Sequence, residues 1–240
     1  MAAYTANILV GCPMSNVSYV RKHAEPMAVQ AVWKKASPEE ALSGAMNFTI
    51  AAIALLFFLP LMVLVALAVW TQDRGPIFFA HRRIGRGGDK FPCLKFRSMA
   101  VDAQARLEEL LARDPQAREE WERDHKLKND PRVTKLGLFL RKSSLDELPQ
   151  LINVLRGEMD LVGPRPIVDA EVPKYGHRFK HYCAVKPGIT GLWQVSGRND
   201  TSYRTRVAMD CIYAKTKTPA LDLWVMASTI PAVLMRKGSY

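Results

Sequence analysis

Cysteine is scarce in this 240-residue chain: four residues (Cys12, Cys93, Cys183, Cys211), widely spaced and without a C-x-x-C pair. That excludes a zinc-ribbon ligand set and a disulfide framework, and leaves thiols expected to stay reduced. Histidine offers no metal site either. His177 and His181 stand four apart, but no H-E-x-x-H or further ligand cluster accompanies them, so they read as a solvated helix face. Gly85 to Lys90 lacks the spacing of a P-loop, and no G-x-S-x-G elbow occurs. Internal repeats and low-complexity tracts are absent. Acidic residues are outnumbered 23 to 34 by Lys and Arg, giving a formal charge of +11. Such a balance suits anionic partners, yet no zinc-finger, bZIP or RNP pattern is present, which argues against nucleic acid.

Long apolar runs are also missing, with one exception. No charged residue lies between Glu40 and Asp73, and Phe48 to Trp70 is apolar apart from Thr49. About 20 apolar residues suffice to cross a bilayer. The run begins too late for a signal peptide and should be retained. Two features argue against a plain span. Pro60 near its middle removes a backbone donor and favours a break. Basic residues flank both ends, Arg21, Lys22, Lys34 and Lys35 before and Arg74, Arg82, Arg83 and Arg86 after, so the positive-inside bias keeps both flanks on one side. A re-entrant helix-break-helix satisfies both. A single hydrophobic element also excludes a multi-span membrane protein.

Downstream, Pro76–Phe79 and Phe91–Met99 read as extended pieces joined through the Arg86-Gly87-Gly88-Asp89 turn, a β-hairpin. Ala103 to Lys128 reads as a charged amphipathic helix interrupted near Asp114-Pro115. Leu136, Leu138, Phe139 and Leu140 supply an apolar surface after Asp130-Pro131. A helix is expected from Leu145 to Leu155, ended by Gly157, and a strand-like piece at Leu192–Val195. Two further helices cover Tyr203–Lys215 and Leu221–Leu234, the last either a core helix or one lying on a membrane surface.

The segment Ser143-Ser144-Leu145-Asp146-Glu147-Leu148-Pro149-Gln150 is the sharpest chemical signal. Taken alone, Ser144-x-x-Glu147 fits a capping box. Its neighbourhood adds to that reading. Arg141 and Lys142 precede the carboxylates, and Gly163-Pro164-Arg165-Pro166 offers a rigid loop carrying one guanidinium, a fork suited to phosphate oxygens. Lys95 and Arg97 alternate with Phe96, so a strand would turn both cations to one side. Adjacent carboxylates among several cations match the needs of Mg²⁺-dependent phosphoryl transfer. The carboxylates hold the metal, the cations neutralise a diphosphate, and one carboxylate can attack phosphorus.

Five segments in fixed order carry a family resemblance: Lys95-Phe96-Arg97-Ser98-Met99; Leu140 through Leu151; Arg156-Gly157-Glu158-Met159; Val162-Gly163-Pro164-Arg165-Pro166; and Lys186 through Arg198. Over residues 45–240 the chain resembles the bacterial sugar transferases, the monotopic phosphoglycosyl transferases. Its closing stretch (Asn199-Asp200-x-Ser202-Tyr203 and the tail Arg236 to Tyr240) is similar to the rhizobial exopolysaccharide galactosyl-phosphate transferases. The resemblance implies an α/β, mostly helical, small cytoplasmic domain on a re-entrant, proline-broken N-terminal membrane helix. Residues 1–42 would be a weakly structured lead-in, 43–72 the membrane helix and 73–240 the catalytic domain with interfacial helices. The implied location is the cytoplasmic face of a bacterial inner membrane, among membrane lipids. The implied reaction moves a sugar-1-phosphate, galactose or glucose, from a UDP-sugar donor to undecaprenyl phosphate by a ping-pong route through a phosphosugar–Asp146 intermediate, with UMP released. Glu147 would join Asp146 in holding Mg²⁺. Arg165 would bind phosphate, with Lys95, Arg97 and Arg141 at matching substrate-binding positions. A homodimer is compatible with this picture, and the alternative is a catalytically silent, membrane-anchored interaction protein. One departure stands out: family members commonly open the membrane helix with a basic pair and then Phe-Asp. Here Ser43 to Thr49 keeps Phe48 but has neither the cations nor the acid.

Overall fold

The structure is a computed structural model that describes residues 38–124, 127, 129–196 and 201–234. Residues 1–37 of the expected lead-in (1–42), residues 125, 126 and 128 at the end of the expected charged helix, residues 197–200 and the tail (235–240) lie outside the described residues. The apolar run forms α1, Pro38–Asp73, 36 residues assigned as one helix through Pro60. It therefore starts five residues before the expected 43, and it is not divided into two helices. At about 1.5 Å per residue it extends about 54 Å, well beyond the hydrocarbon thickness of about 30 Å. Its most apolar 18-residue window is only 17% buried, whereas the core helix of a soluble domain would be mostly covered.

α1 nevertheless touches the rest of the protein along its whole length. Ser43, Asn47 and Ala51 are buried at one end, and Met62, Val65 and Val69 at the other. These positions recur at helical spacing, so one stripe faces protein. Leu56, Phe57, Val63, Leu64 and Leu67 remain exposed on the other side.

The hairpin follows as expected. β1 (Phe78–Ile84) pairs antiparallel with β2 (Lys90–Phe96) in the register Phe79–Lys95, His81–Cys93 and Arg83–Phe91. Gly87 and Gly88 take the positive φ angles (74° and 90°) that close the turn. The charged helical stretch is two helices, α2 (Ala103–Arg113) and α3 (Pro115–Asp124), divided at the expected proline. Then come α4 (Lys135–Ser143), a short 3₁₀ turn (Leu145–Glu147) and α5 (Gln150–Leu155).

β3 (Asp160–Val162) and β4 (Gly188–Thr190) form a two-stranded parallel ladder, joined through α6 (Val172–Tyr175) and α7 (Phe179–Ala184). The anticipated strand at Leu192–Val195 is instead helical, α8 (Leu192–Ser196). The Gly191 carbonyl accepts from both Gln194 N and Val195 N, which starts a turn where a strand would need the ladder. α9 (Tyr203–Thr216) and α10 (Pro219–Leu234) close the described chain.

Two polar ties fix these layers. Asn47 of α1, 3% exposed, accepts a hydrogen bond from Leu161 N at 2.7 Å. Asn153 of α5, fully buried, accepts from Leu94 N at 3.0 Å and donates to the Pro92 carbonyl at 2.8 Å, fastening α5 to β2. In the stretch that lacks the family's usual charges, Ser43 Oγ donates to Asp222 of α10 (3.3 Å), so this end of α1 docks on protein.

Candidate active site

The carboxylate pair sits in the turn between α4 and α5. Ser144 takes a left-handed conformation (φ 58°, ψ 15°), ending α4 and reversing the chain into the 3₁₀ turn. Such a conformation costs a non-glycine residue about 1 kcal/mol or more, and the surrounding packing holds it. Leu145 and Leu148 are packed against the cluster formed by Met62, Val65, Val69, Phe96 and Leu140. With those two leucines anchored, Asp146 and Glu147 between them turn to the cleft. The capping box anticipated at Ser144-x-x-Glu147 does not form, since Ser144 makes no side-chain cap bond. Glu147 is drawn away by an ion pair: Lys95 Nζ lies 2.5 Å from its Oε1.

Lys95 reaches Asp146 as well, at 3.7 Å, and Arg165 comes within 3.9 Å of Glu147. Of the six residues singled out by sequence, these four form one ionic cluster. Arg141 lines the same cleft; its Nε donates to Ser98 Oγ at 2.9 Å, and its charge reaches Asp146. Arg97 is turned elsewhere. Its buried guanidinium pairs with Asp73 and donates to the Val69 carbonyl, holding the last turn of α1. Lys95 and Arg97 thus part company, because Arg97 lies just past the end of β2 and escapes its alternation.

The two carboxylates differ in electrostatics. Burial raises the Asp146 pKa; Lys95 opposes this, Glu147 adds to it, and the net shift is upward. Burial would raise Glu147 too, but the charges of Lys95 and Arg165 and the Lys95 hydrogen bond outweigh it, so its pKa falls. Neighbouring acids pushed apart in this way are suited to different roles. Asp146 is a buried, poorly solvated carboxyl, and Glu147 is a fixed anion at neutral pH.

The site also contains residues that sequence reasoning missed. Arg83 donates to the Pro166 carbonyl (3.3 Å) and pairs with Glu171 (3.8 Å), bracing the Arg165 loop from β1. Gln150 and Gln194 line the pocket beside Glu147. For Arg83 the signal was available: the hairpin register puts Phe79, His81 and Arg83 on the same face as Lys95.

Residues 39–236 match the family model of the bacterial sugar transferases. This chain belongs to that family. Among individual relatives it is 55% identical over 181 residues to the undecaprenyl-phosphate galactose phosphotransferase of Salmonella typhimurium, covering 75% of this chain and 38% of that protein. It is 51% identical over 190 residues to the exopolysaccharide production protein ExoY of Rhizobium meliloti, 79% of this chain and 84% of ExoY. A UDP-glucose:undecaprenyl-phosphate glucose-1-phosphate transferase of Xanthomonas campestris is 39% identical over 201 residues, 80% of this chain and 38% of that protein. The chain thus spans about four-tenths of the length of several relatives, the Salmonella protein (38%) and a Haemophilus influenzae sugar transferase (42%) among them.

The donor set of this site is compatible with the Mg²⁺ that the family resemblance implies. Mg²⁺ is held by one or two carboxylates, with water and substrate phosphates completing its octahedron. Asp146 and Glu147 are hard oxygen donors, and Glu147 is ionised at neutral pH. Among the described residues no group of three or more His, Cys, Asp or Glu gathers to form an all-protein cage. Any further ligands would come from water and diphosphate.

Proposed function

We propose that this chain transfers a sugar-1-phosphate from a UDP-sugar to undecaprenyl phosphate, as the first step of exopolysaccharide repeat-unit assembly. The observation that carries the reading is the Asp146–Glu147–Lys95–Arg165 cluster: a buried carboxyl next to an ionised one, facing cations in an open cleft. The activities of the Salmonella and Xanthomonas relatives support the substrate classes, and the similarity to the Salmonella galactose phosphotransferase favours UDP-galactose as donor.

In this mechanism Asp146 Oδ attacks the phosphorus that bears the sugar. The bond to the bridging oxygen breaks, and UMP leaves with that electron pair. An oxygen of undecaprenyl phosphate then attacks the same phosphorus, and the Asp146 carboxylate departs. Arg165 and Lys95 offset the diphosphate charge, and Arg141 extends the cationic wall; stabilising charge where it develops is the main source of rate. Mg²⁺, held by Glu147 and Asp146, would supply further charge neutralisation.

The chain acts at the cytoplasmic face of the inner membrane, with α1 held in one leaflet. The packing of both ends of α1 on the same domain, through Asn47 and Val69, supports this reading.

The deciding experiment is UMP release by purified protein with Mg²⁺ and UDP-galactose, polyprenyl phosphate omitted. A burst of about one UMP per enzyme is expected, as covalent catalysis requires. Release only when the acceptor is present would refute the covalent route.

A further inference from the structure

The cations around the carboxylate pair are unevenly disposed. Those acting most on Asp146 are Lys95 and Arg141, whereas those acting most on Glu147 are Lys95, Arg165 and Arg83. Arg83, Lys95 and Arg165 also line one small pocket together with Glu147. Direct contacts grade in the same order. Lys95 reaches both carboxylates, at 3.7 and 2.5 Å, and Arg165 comes within 3.9 Å of Glu147 alone. Arg83 pairs with Glu171 instead. It therefore belongs to the Glu147 side of the cleft, beyond contact with Asp146.

The reaction described above gives Arg83 no part, and half of its guanidinium is uncommitted. Both of its contacts run through Nη1, which donates to the Pro166 carbonyl at 3.3 Å and lies 3.8 Å from Glu171. Among the described residues Nε and Nη2 make no hydrogen bond. Arg97 differs: its unpartnered Nε and Nη1 are enclosed, whereas the unpartnered nitrogens of Arg83 are not, and 22% of the Arg83 side chain is exposed. The Nε–Nη2 edge carries parallel N–H groups, the fork that matches the oxygens of one phosphate.

The electrostatics favour an anion at that edge. Burial lowers the Arg83 pKa, and the next influence is the Arg165 charge, which exceeds the opposing charge of Glu171. The two guanidiniums are thus held close, each with a single carboxylate contact, at 3.8 and 3.9 Å. An anion between them replaces one repulsion with two attractions. A neutral hydroxyl or a cation would not.

We propose that the Nε–Nη2 edge of Arg83 binds the nucleoside-bearing phosphate of the donor, the one that departs as UMP, jointly with Arg165. This rests on the proposed function. The sugar-bearing phosphorus must meet Asp146, where Lys95 is the cation in contact. The other phosphate lies one bridging oxygen away, and the cations beyond Lys95 on the Glu147 side are Arg165 and Arg83. When the bridging bond breaks, its electron pair and a negative charge pass to this phosphate. Arg83 then offsets charge where it develops on the leaving group.

The test is calorimetric titration of the full chain with UMP in the presence of Mg²⁺, with uridine and galactose 1-phosphate titrated beside it. Arg83→Gln is expected to weaken UMP by about 10- to 100-fold, the worth of a charge-assisted hydrogen bond, and to leave uridine unchanged. Because Arg83 also braces the Arg165 loop, the same substitution is made in an Arg165→Gln background. Two direct phosphate contacts predict a further loss there, of about tenfold or more. A loss that vanishes in that background shows Arg83 acting only through Arg165 and overturns the proposal. Unchanged UMP binding in Arg83→Gln overturns it too, as does a loss for galactose 1-phosphate without one for UMP. Arg83→Lys, which keeps the charge without the fork, should lose less than Arg83→Gln, and it carries the same cycle if the glutamine variant does not fold. Failure of wild type to release UMP from UDP-galactose would count against the transferase reading, while the UMP titrations still decide this one.

Discussion

Replacing Lys95 by methionine removes the cation that both carboxylates share. Its ammonium stands 2.5 Å from Glu147 Oε1 and 3.7 Å from Asp146 Oδ2, and about a quarter of the side chain is exposed (25%). Two unit charges about 4 Å apart interact by about 4 kcal/mol at an effective dielectric of about 20. Solvent reaches the ammonium, and Arg141 and Arg165 stay in place, so only part of that energy acts, and the Asp146 pKa is expected to rise further. The direction follows from the balance already present: burial and Glu147 raise the Asp146 pKa, and Lys95 is the largest opposing charge. A higher pKa leaves less nucleophilic carboxylate at neutrality. The assay is rapid-quench UMP release at saturating UDP-galactose across pH. In Lys95→Met the acid limb should move up, with a loss of about 10- to 100-fold at neutral pH that is largely recovered at alkaline pH. If Lys95→Met keeps the wild-type midpoint and only needs more donor to saturate, Lys95 acts through phosphate binding and the electrostatic reasoning is wrong.

Three other perturbations test separate parts of the structure. Asp146→Asn should abolish the UMP burst without lowering thermal stability. A carboxyl whose folded pKa is raised stabilises the fold below its ordinary pKa and loses that contribution as pH rises through the raised value. The asparagine variant should therefore melt at the same or a higher temperature than wild type at alkaline pH, with the gap closing in acid; a lower melting temperature at alkaline pH would contradict this. Asp210, buried and accepting from the Tyr175 hydroxyl at 2.7 Å, is raised to about 7 mainly by desolvation. Asp210→Asn should flatten the fall in melting temperature from the ordinary carboxylate range up through about pH 7, and an unchanged pH profile would show that Asp210 does not cause that fall. Asn47→Leu leaves Leu161 N without an acceptor and should cost about 1–3 kcal/mol in denaturant titrations, which a neutral result would refute.

Local chemistry made part of this architecture legible. The Arg86–Asp89 turn supplies glycines where positive φ is needed, and Pro115 divides α2 from α3. What failed was local reading in places where a distant partner prevails. Glu147 fits a capping box by spacing, yet an ammonium 52 positions away claims it. Leu192–Val195 has the composition of a strand, but the ladder position belongs to Gly188–Thr190, which passes so close to Gly163 that a Cβ at Gly188 would overlap the Gly163 backbone. Asn47 could not be recognised as structural, since its acceptor role depends on Leu161, 114 positions on. The ionic cluster was legible in membership for four residues because they fall in compact motifs. Arg97 belongs to the same motif as Lys95, but only the fold reveals that it turns to Asp73.

The packing under the carboxylate pair can be tested by truncation. Leu145 and Leu148, the residues flanking Asp146-Glu147, rest on the cluster that Met62, Val65 and Val69 of α1 share with Phe96 and Leu140. Arg97 is buried at the end of the same helix with Asp73 as its ionic partner. α1 is therefore the floor of the candidate site as well as the longest apolar helix among the described residues. In the proposed reaction a lipid-linked phosphate would meet Asp146 while its tail stays beside α1. Removing residues 1–73 would strip this floor, exposing Phe96 and Leu140 and leaving the buried Arg97 charge unpaired. Loss of a partner from a buried pair alone costs about 3–5 kcal/mol, and truncation of large core side chains costs about 2–5 kcal/mol each. Since domains are stable by only about 5–15 kcal/mol, the 74–240 fragment should aggregate or lack cooperative melting, and should give no UMP burst even though the donor half-reaction needs no lipid. A monodisperse 74–240 fragment with a wild-type burst would show that α1 only anchors the enzyme, and that the dyad is held by the cytoplasmic elements alone.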